Sequence, residues 1–231
     1  FILKDDNLEG EWINQAKGSG YIIPFCATRS SNINHRFSSS NSLLSSSISG
    51  KWEVDFAYKT QEKYKAIGVF KQEKNNLTGT FITETGDYRY LQGNSIKDSI
   101  FLSCFDGSHA FLFEAKLENE ALNGVFYSGK HYQNSWKAHR NSSFSLSDPD
   151  SITKINPEFP VSFSFPDLDS NIVSFPSSLF NNKVLIVQII GSWCPNCLDE
   201  TAFFNALHKK YNSSGLEVIS LTYEQSHVFS E

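Results

Sequence analysis

No methionine occurs among the 231 residues. A chain of this length ordinarily carries several, so long sequence distances are read as approximate and only local spacings are read closely. Cysteine is scarce: Cys26, Cys104, Cys194 and Cys197 are the full set, too few for a disulfide-built scaffold at this length. Positive charge is short as well. Twenty Lys and Arg face 25 Asp and Glu, for a net charge of -5 and a pI near 5.7. That balance offers no electrostatic footprint for nucleic acid and no polybasic patch for an anionic membrane. No apolar run is long enough to span a bilayer as a helix. The first residues, Phe1-Ile2-Leu3-Lys4-Asp5, lack the charged-then-apolar pattern of a signal peptide. A mature chain would read the same, so export stays open.

What is present falls into two grammars. From about Leu8 to about Phe144 the text is short, alternating and aromatic. Trp52, Val54, Phe56 and Tyr58 share one side of a two-residue period, as do Phe111, Phe113, Ala115 and Leu117. This is the pattern of half-buried strands. Turn signals separate the runs at Asn75-Asn76, Thr85-Gly86-Asp87, Asp106-Gly107 and Ser128-Gly129-Lys130. Strand-turn-strand without an intervening helix predicts an antiparallel meander, and closure into a barrel would remove its edges. A weak repeat runs through it. Leu8-Glu9-Gly10-Glu11-Trp12, Ile48-Ser49-Gly50-Lys51-Trp52, Leu77-Thr78-Gly79-Thr80-Phe81 and Leu122-Asn123-Gly124-Val125-Phe126 share aliphatic-x-Gly-x-aromatic. A Gly between two large side chains on one face lets the strand bend or lets a neighbour approach. By pattern, this region resembles calycin-type meanders.

Within this region Phe37 to Gly50 is Ser-rich and predicts a loop. Cys26 and Cys104 could pair, a question that sequence leaves open. Cys104 shares a face with Ile100 and Leu102, which favours a small buried hydrophobe. His35, His109, His131 and His139 are scattered through strands and turns, and no carboxylate pair or Ser-His-Asp grouping can be placed. The region is therefore expected to be non-catalytic, a spacer or docking platform.

Polar residues and Pro interrupt the alternation near Ser147-Asp148-Pro149-Asp150, giving an expected division into residues 1–149 and 150–231. Beyond it, Val161 to Phe165 and Ile172 to Ser174 predict a short hairpin. Val184 to Ile190 is nearly all apolar and β-branched, as a strand buried on both faces would be. Pro195 to Tyr211 then takes helical spacing. Leu198, Ala202 and Ala206 form one row, and Phe203, Leu207 and Tyr211 the next. Asp199 and Glu200 lie in the early turns and Lys209 and Lys210 in the last, as the helix dipole prefers. Gly215 is a stop signal, and Leu216 to Leu221 resumes as a strand. The expected unit is β-α-β.

Trp193-Cys194-Pro195-Asn196-Cys197 sits at the strand-to-helix junction. Cys194 falls at the N-cap and Pro195 at the first helical position, where its missing N–H costs nothing. The Cys194 sulfur can then face the free N–H groups of the first turn, which favour thiolate over thiol. Thiolate is the attacking species in thiol-disulfide exchange. Cys197 lies one turn deeper on the same face, suited to resolve the mixed disulfide. A structural zinc site needs about four ligands, and only one Cys-x-x-Cys is present, with no His pair near it. A c-type haem would need His where Leu198 stands. The Thr-x-x-Cys of peroxiredoxin-type peroxidases is absent. No metal and no cofactor is expected.

Residues from about Pro157 to Glu231 resemble the TlpA/ResA branch of thioredoxin-like disulfide reductases. The matching pieces are Phe165-Pro166-Asp167-Leu168-Asp169, the Val184 to Ile190 strand, Gly191 through Cys197, and Gly215-Leu216-Glu217-Val218-Ile219. The β-rich front is similar to the extra N-terminal domain of some envelope members. The resemblance implies an α+β two-domain protein, exported to the periplasmic side of the cell envelope and often lipid-anchored upstream. It implies protein disulfides as substrates and a membrane or thioredoxin-type electron donor. It also implies a role for Glu200, because members commonly carry Cys-x-x-Cys-x-x-Glu with the Glu tuning the cysteines. A carboxylate there would oppose thiolate formation and could pass a proton to or from the buried thiol; the plainer alternative is that Glu200 complements the helix start. Thioredoxin domains continue with a cis-proline loop, two antiparallel strands and a helix. This sequence stops at Ser230-Glu231 before them, so only the first half of such a domain is expected here, redox-incompetent alone. The missing elements are expected beyond Glu231 or from a partner chain. The other functional reading is a ligand- or partner-binding envelope protein whose β domain dominates and whose redox motif is secondary.

Overall fold

A computed structural model of the chain describes residues 1–14, 18, 20–29, 36–37 and 44–224. The chain is a mixed α+β protein of two compact units, Phe1–Thr153 and Lys154–Glu231.

In the first unit, β1 (Ile2–Lys4), β2 (Asn7–Ile13) and β3 (Ile22–Thr28) form a small antiparallel sheet of their own. The meander proper starts later than Leu8. It consists of β4 (Gly50–Phe56), β5 (Tyr64–Glu73), β6 (Asn76–Thr83), β8 (Leu91–Ile96), β9 (Ser99–Phe105), β10 (Ala110–Glu118), β11 (Ala121–Ser128) and β12 (Tyr132–Arg140). Each of these strands pairs antiparallel with the next, and β12 returns to β4. The result is a closed eight-stranded up-and-down barrel, with the two-residue β7 (Gly86–Asp87) appended to β6. Closure satisfies every strand edge within the ring.

The two-residue alternation decides which side chains enter the barrel. Trp52, Val54 and Phe56 of β4 are fully buried. Ala57 then takes a positive φ of 51°, the alternation ends, and Tyr58 instead meets Lys137, whose Nζ is 5.0 Å from its ring centroid. The barrel centre is occupied by rings. Phe56 lies between 5.1 and 6.1 Å, centroid to centroid, from Tyr64, Phe81, Tyr88, Phe113, Phe126 and Trp136. Burial and mutual hydrogen bonding raise the Tyr64 hydroxyl's pKa well above its ordinary value.

The glycine repeat proves to be one device in two of its four places. A Cβ at Gly79 would lie 2.3 Å from the Val69 carbonyl oxygen, and one at Gly124 would lie 1.9 Å from that of Glu114. Only glycine permits those neighbouring strands to come so close. Gly50 instead serves a φ of +115°, and Gly10 belongs to the separate small sheet, against Phe1 and Phe25. The β10–β11 turn had no glycine to announce it: Asn119 and Glu120 both adopt positive φ, as a two-residue hairpin loop requires.

One end of the barrel is closed by the residues just before β4. Leu44 and Ile48 are buried, and the Trp52 indole donates to the Ile48 carbonyl at 2.8 Å. Arg140, the last residue of β12, lies over the Trp52 ring with its Cζ 4.7 Å from the centroid, and donates to the Ser49 carbonyl at 2.7 Å and to that of Ser47. At the other end, Trp12 and Lys130 tie the small sheet to barrel turns. The Trp12 indole donates to Gly107 O at 2.9 Å, and the Lys130 amide donates to the Tyr21 hydroxyl at 2.7 Å. On the outer face of β4, Lys65 bridges Glu53 at 2.6 Å and Asp55 at 2.7 Å. Cys26 is exposed, Cys104 packs against the core, and neither forms a disulfide. The expected Ser-rich loop falls partly, and His35 wholly, outside the described residues. Helix α1 (Pro149–Ile152), capped by Asp148, ends this unit.

The second unit opens with the hairpin of β13 (Phe163–Pro166) and β14 (Ile172–Phe175), which register Phe163 opposite Phe175. Asp167 holds the turn by accepting from the Asn171 and Asp169 amides. Then come β15 (Val184–Ile190), helix α2 (Pro195–Tyr211) and β16 (Leu216–Thr222), with β15 and β16 parallel from Val184↔Leu216 to Ile190↔Thr222. Gly215, at φ 92°, ends the helical segment. Two expectations need correction. β15 is not covered on both faces, for Val184 is 67% and Ile189 68% exposed. Of the apolar rows expected along α2, only Leu207 lies on its inner face. Beyond Pro195, its partly buried positions are Cys197, Thr201, Phe204, Leu207 and His208, while Leu198 and Phe203 are exposed. Near the helix start that inner face is polar, where Cys197 and Thr201 meet Gln188; Phe204 and Leu207 make it apolar further along. No helix among the described residues is long and apolar enough to cross a membrane.

Candidate active site

The site is built where β15 ends and α2 begins. The strand delivers Gly191 and Ser192 into a tight turn closed by the Cys194 amide donating to Gly191 O at 3.0 Å. Glu224, just past β16, clamps that turn: its carboxylate accepts from the Ser192 amide at 3.0 Å and from the Ser192 hydroxyl at 2.6 Å. Trp193 folds back over it, and its indole donates to Tyr223 O at 2.9 Å. A Cβ at Gly191 would meet the Trp193 indole nitrogen at 2.4 Å, so a side chain there would displace the ring.

Cys194 has extended backbone angles and is the N-cap of α2, with Pro195 at the first helical position and Asn196 exposed beside it. The Cys197 amide donates to the Cys194 sulfur at 3.3 Å. A helix start has amides without intrahelical acceptors, and this one points at sulfur. Cys194 and Cys197 are joined as a disulfide, with Cα atoms 5.3 Å apart. On reduction the same amide and the dipole behind it favour negative charge on Cys194.

Glu200 lies in the second turn, beyond the free amides of the first, which leaves little for it to complement there. Its Oε2 instead accepts from the side-chain amide of Gln188 at 3.0 Å. The same nitrogen donates to Cys197 O at 3.3 Å, so Glu200 and the Cys197 main chain meet at one group. Sequence reasoning did not single out Gln188, Thr201, Ser220 or Glu224. Gln188 carried a signal, being the sole polar residue in the β15 run; Glu224 carried none. Among the described residues no cluster of three His, Cys, Asp or Glu side chains is placed to hold a metal ion.

Residues 154–228 match the Redoxin family. The match covers the second unit, which is thioredoxin-like, and leaves the barrel unit outside it. Curated proteins and solved structures give no match. A Redoxin match together with a Cys-x-x-Cys pair at a helix start supports a thiol-redox function.

Proposed function

We propose that this chain belongs to a thiol-disulfide oxidoreductase of the TlpA/ResA kind that reduces or exchanges protein disulfides. The observation that carries the reading is the Cys194–Cys197 pair at the start of α2, with the Cys197 amide aimed at the Cys194 sulfur. In the reduced protein the Cys194 thiolate attacks one sulfur of a substrate disulfide. That bond breaks, one substrate thiolate leaves, and a mixed disulfide remains. Cys197 gives up its proton and attacks the Cys194 sulfur. The second substrate thiol is released and Cys194–Cys197 closes, so two electrons pass from the protein dithiol to the substrate. A dithiol donor, membrane-bound or thioredoxin-type, returns the pair to the reduced form. Partly exposed Trp193 flanks the pair and offers apolar surface to a substrate chain. Glu200, held close to Cys197 through Gln188, is suited to receive the Cys197 proton.

The setting proposed is the periplasmic side of the cell envelope, with a lipid anchor upstream. An oxidising compartment is where substrate disulfides persist. The ring-filled barrel supports a spacer or docking platform more than a ligand container, because its centre is occupied by its own side chains. The test is insulin disulfide reduction by the full-length protein that carries this chain. Replacing Cys194 with Ser should abolish turnover, and Cys197→Ser should trap a mixed disulfide through Cys194. Undiminished turnover in Cys194→Ser would refute the assignment.

A further inference from the structure

β15 is apolar at every position but one. That one, Gln188, is 4% exposed. A buried amide in such a strand is costly unless all its hydrogen-bonding capacity is used. Here it is. The amide nitrogen donates to Glu200 Oε2 at 3.0 Å and to Cys197 O at 3.3 Å. The amide oxygen accepts from the Ser220 hydroxyl at 3.1 Å, with the Thr201 hydroxyl at 3.2 Å. Ser220 is the register partner of Gln188 on β16, and Thr201 lies one turn beyond Cys197 on α2, its hydroxyl also 2.7 Å from Cys197 O.

The orientation of the amide is dictated by these neighbours. Cys197 O and a carboxylate oxygen are acceptors, so the nitrogen must face the helix start. The two hydroxyls can donate, so the oxygen faces them. Gln188 is thus locked by both strands of the sheet and by α2, and it presents its N–H groups to one side-chain carboxylate. Glu200 is otherwise on the exposed side of the helix, free to swing into water without that bond.

We propose that Gln188 is a positioning residue for the cysteine pair: its side-chain amide pins the Glu200 carboxylate at the Cys197 end of the helix. The proposal rests on the disulfide-exchange reading. Pinned there, Glu200 acts on the pair as a fixed negative charge; released, it is screened by water. Among the described residues, the other titratable groups of the site are Asp199 on α2 and Tyr223 and Glu224 beyond β16. Glu224 is engaged with Ser192. β15 and β16 present only the neutral Gln188 and Ser220 to the helix start, and Lys183, His208 and Glu217 form their own cluster at the other end of the unit.

The test is the pH profile of Cys194 alkylation by iodoacetamide in the reduced full chain, read by mass spectrometry on the Cys194 peptide so that exposed Cys26 does not interfere. Glu200→Gln removes the charge and should move the profile to lower pH. Gln188→Leu should move it the same way, with the charge still present but no longer held. In the double variant Gln188→Leu should add less than about a twofold further change in rate at fixed pH, because its effect passes through Glu200. Gln188→Asn, which withdraws the amide by one methylene, carries the same test should the leucine variant not fold. A purely structural Gln188 would alter stability and leave the profile alone. A profile coinciding with wild type in the folded variant, or an undiminished shift in the Glu200→Gln background, overturns the proposal. Insulin reduction by the wild-type chain is measured alongside. Its absence in the full-length protein counts against the exchange reading, while the alkylation cycle reports on Gln188 whether or not insulin is turned over.

Discussion

Phe56→Ala tests whether the barrel is a packed core or a container. Phe56 is fully buried and ringed by six aromatic neighbours at 5.1 to 6.1 Å. Removing a buried Phe side chain costs about 3–5 kcal/mol when the surroundings cannot collapse into the space. Here they are held by a closed ring of strands, so the upper part of that range is expected. Set against a total stability of about 5–15 kcal/mol, this is a large fraction. With a urea m-value of roughly 1–3 kcal/mol per molar for a small domain, the midpoint should fall by about 1–5 M. Intrinsic fluorescence follows the barrel, since Trp52 and Trp136 are both fully buried in it. The m-value should stay unchanged. A loss below about 1 kcal/mol would show that the centre has room to spare, and the platform reading would give way to a ligand-holding one.

Two further outcomes follow from the titratable groups of the barrel. The Lys65 hydrogen bond, then that from Asn141, holds the Glu53 carboxyl below its ordinary 4.5. A depressed folded value contributes stability above the ordinary value and loses it as pH falls through the folded one. Urea midpoints measured from pH 7 downward should therefore fall less steeply below about pH 4.5 in Glu53→Gln than in wild type; parallel curves would refute the linkage. Burial, with Asp106 adding to it, pushes the Cys104 thiol up to about 11. At pH 8 iodoacetamide should label Cys104 more than about tenfold slower in the folded protein than in urea, and equal rates would contradict the burial.

Much of this was legible beforehand, and the reasons are local. Trp52, Val54 and Phe56 alternate because one face of β4 meets the core, and that rule needs no knowledge of the partner strand. Cys194 and Pro195 mark a helix start by their own chemistry. The failures lie where a distant partner decides. The small sheet of β1 to β3 has the same alternation as the barrel strands, and only pairing separates it from them. α2 turns Cys197 and Thr201 inward toward Gln188, and His208 toward Glu217, while most of its apolar rows stay exposed. Glu224 reaches Ser192 across 32 positions of sequence, and no pattern in either segment announces it.

The latch of Arg140 on Trp52 has a consequence for how the chain is made. β4 pairs with β12, so the ring has no complete form until its last strand exists. During synthesis β4 and its growing neighbours must keep an unpaired edge until Arg140 has left the ribosome. Contacts so far apart in sequence delay closure, and the redox unit is translated only after the latch residue. A ribosome pausing once Arg140 has cleared its exit, with Cys194 and Cys197 still enclosed, would give the barrel time to shut before the cysteines of the second unit emerge.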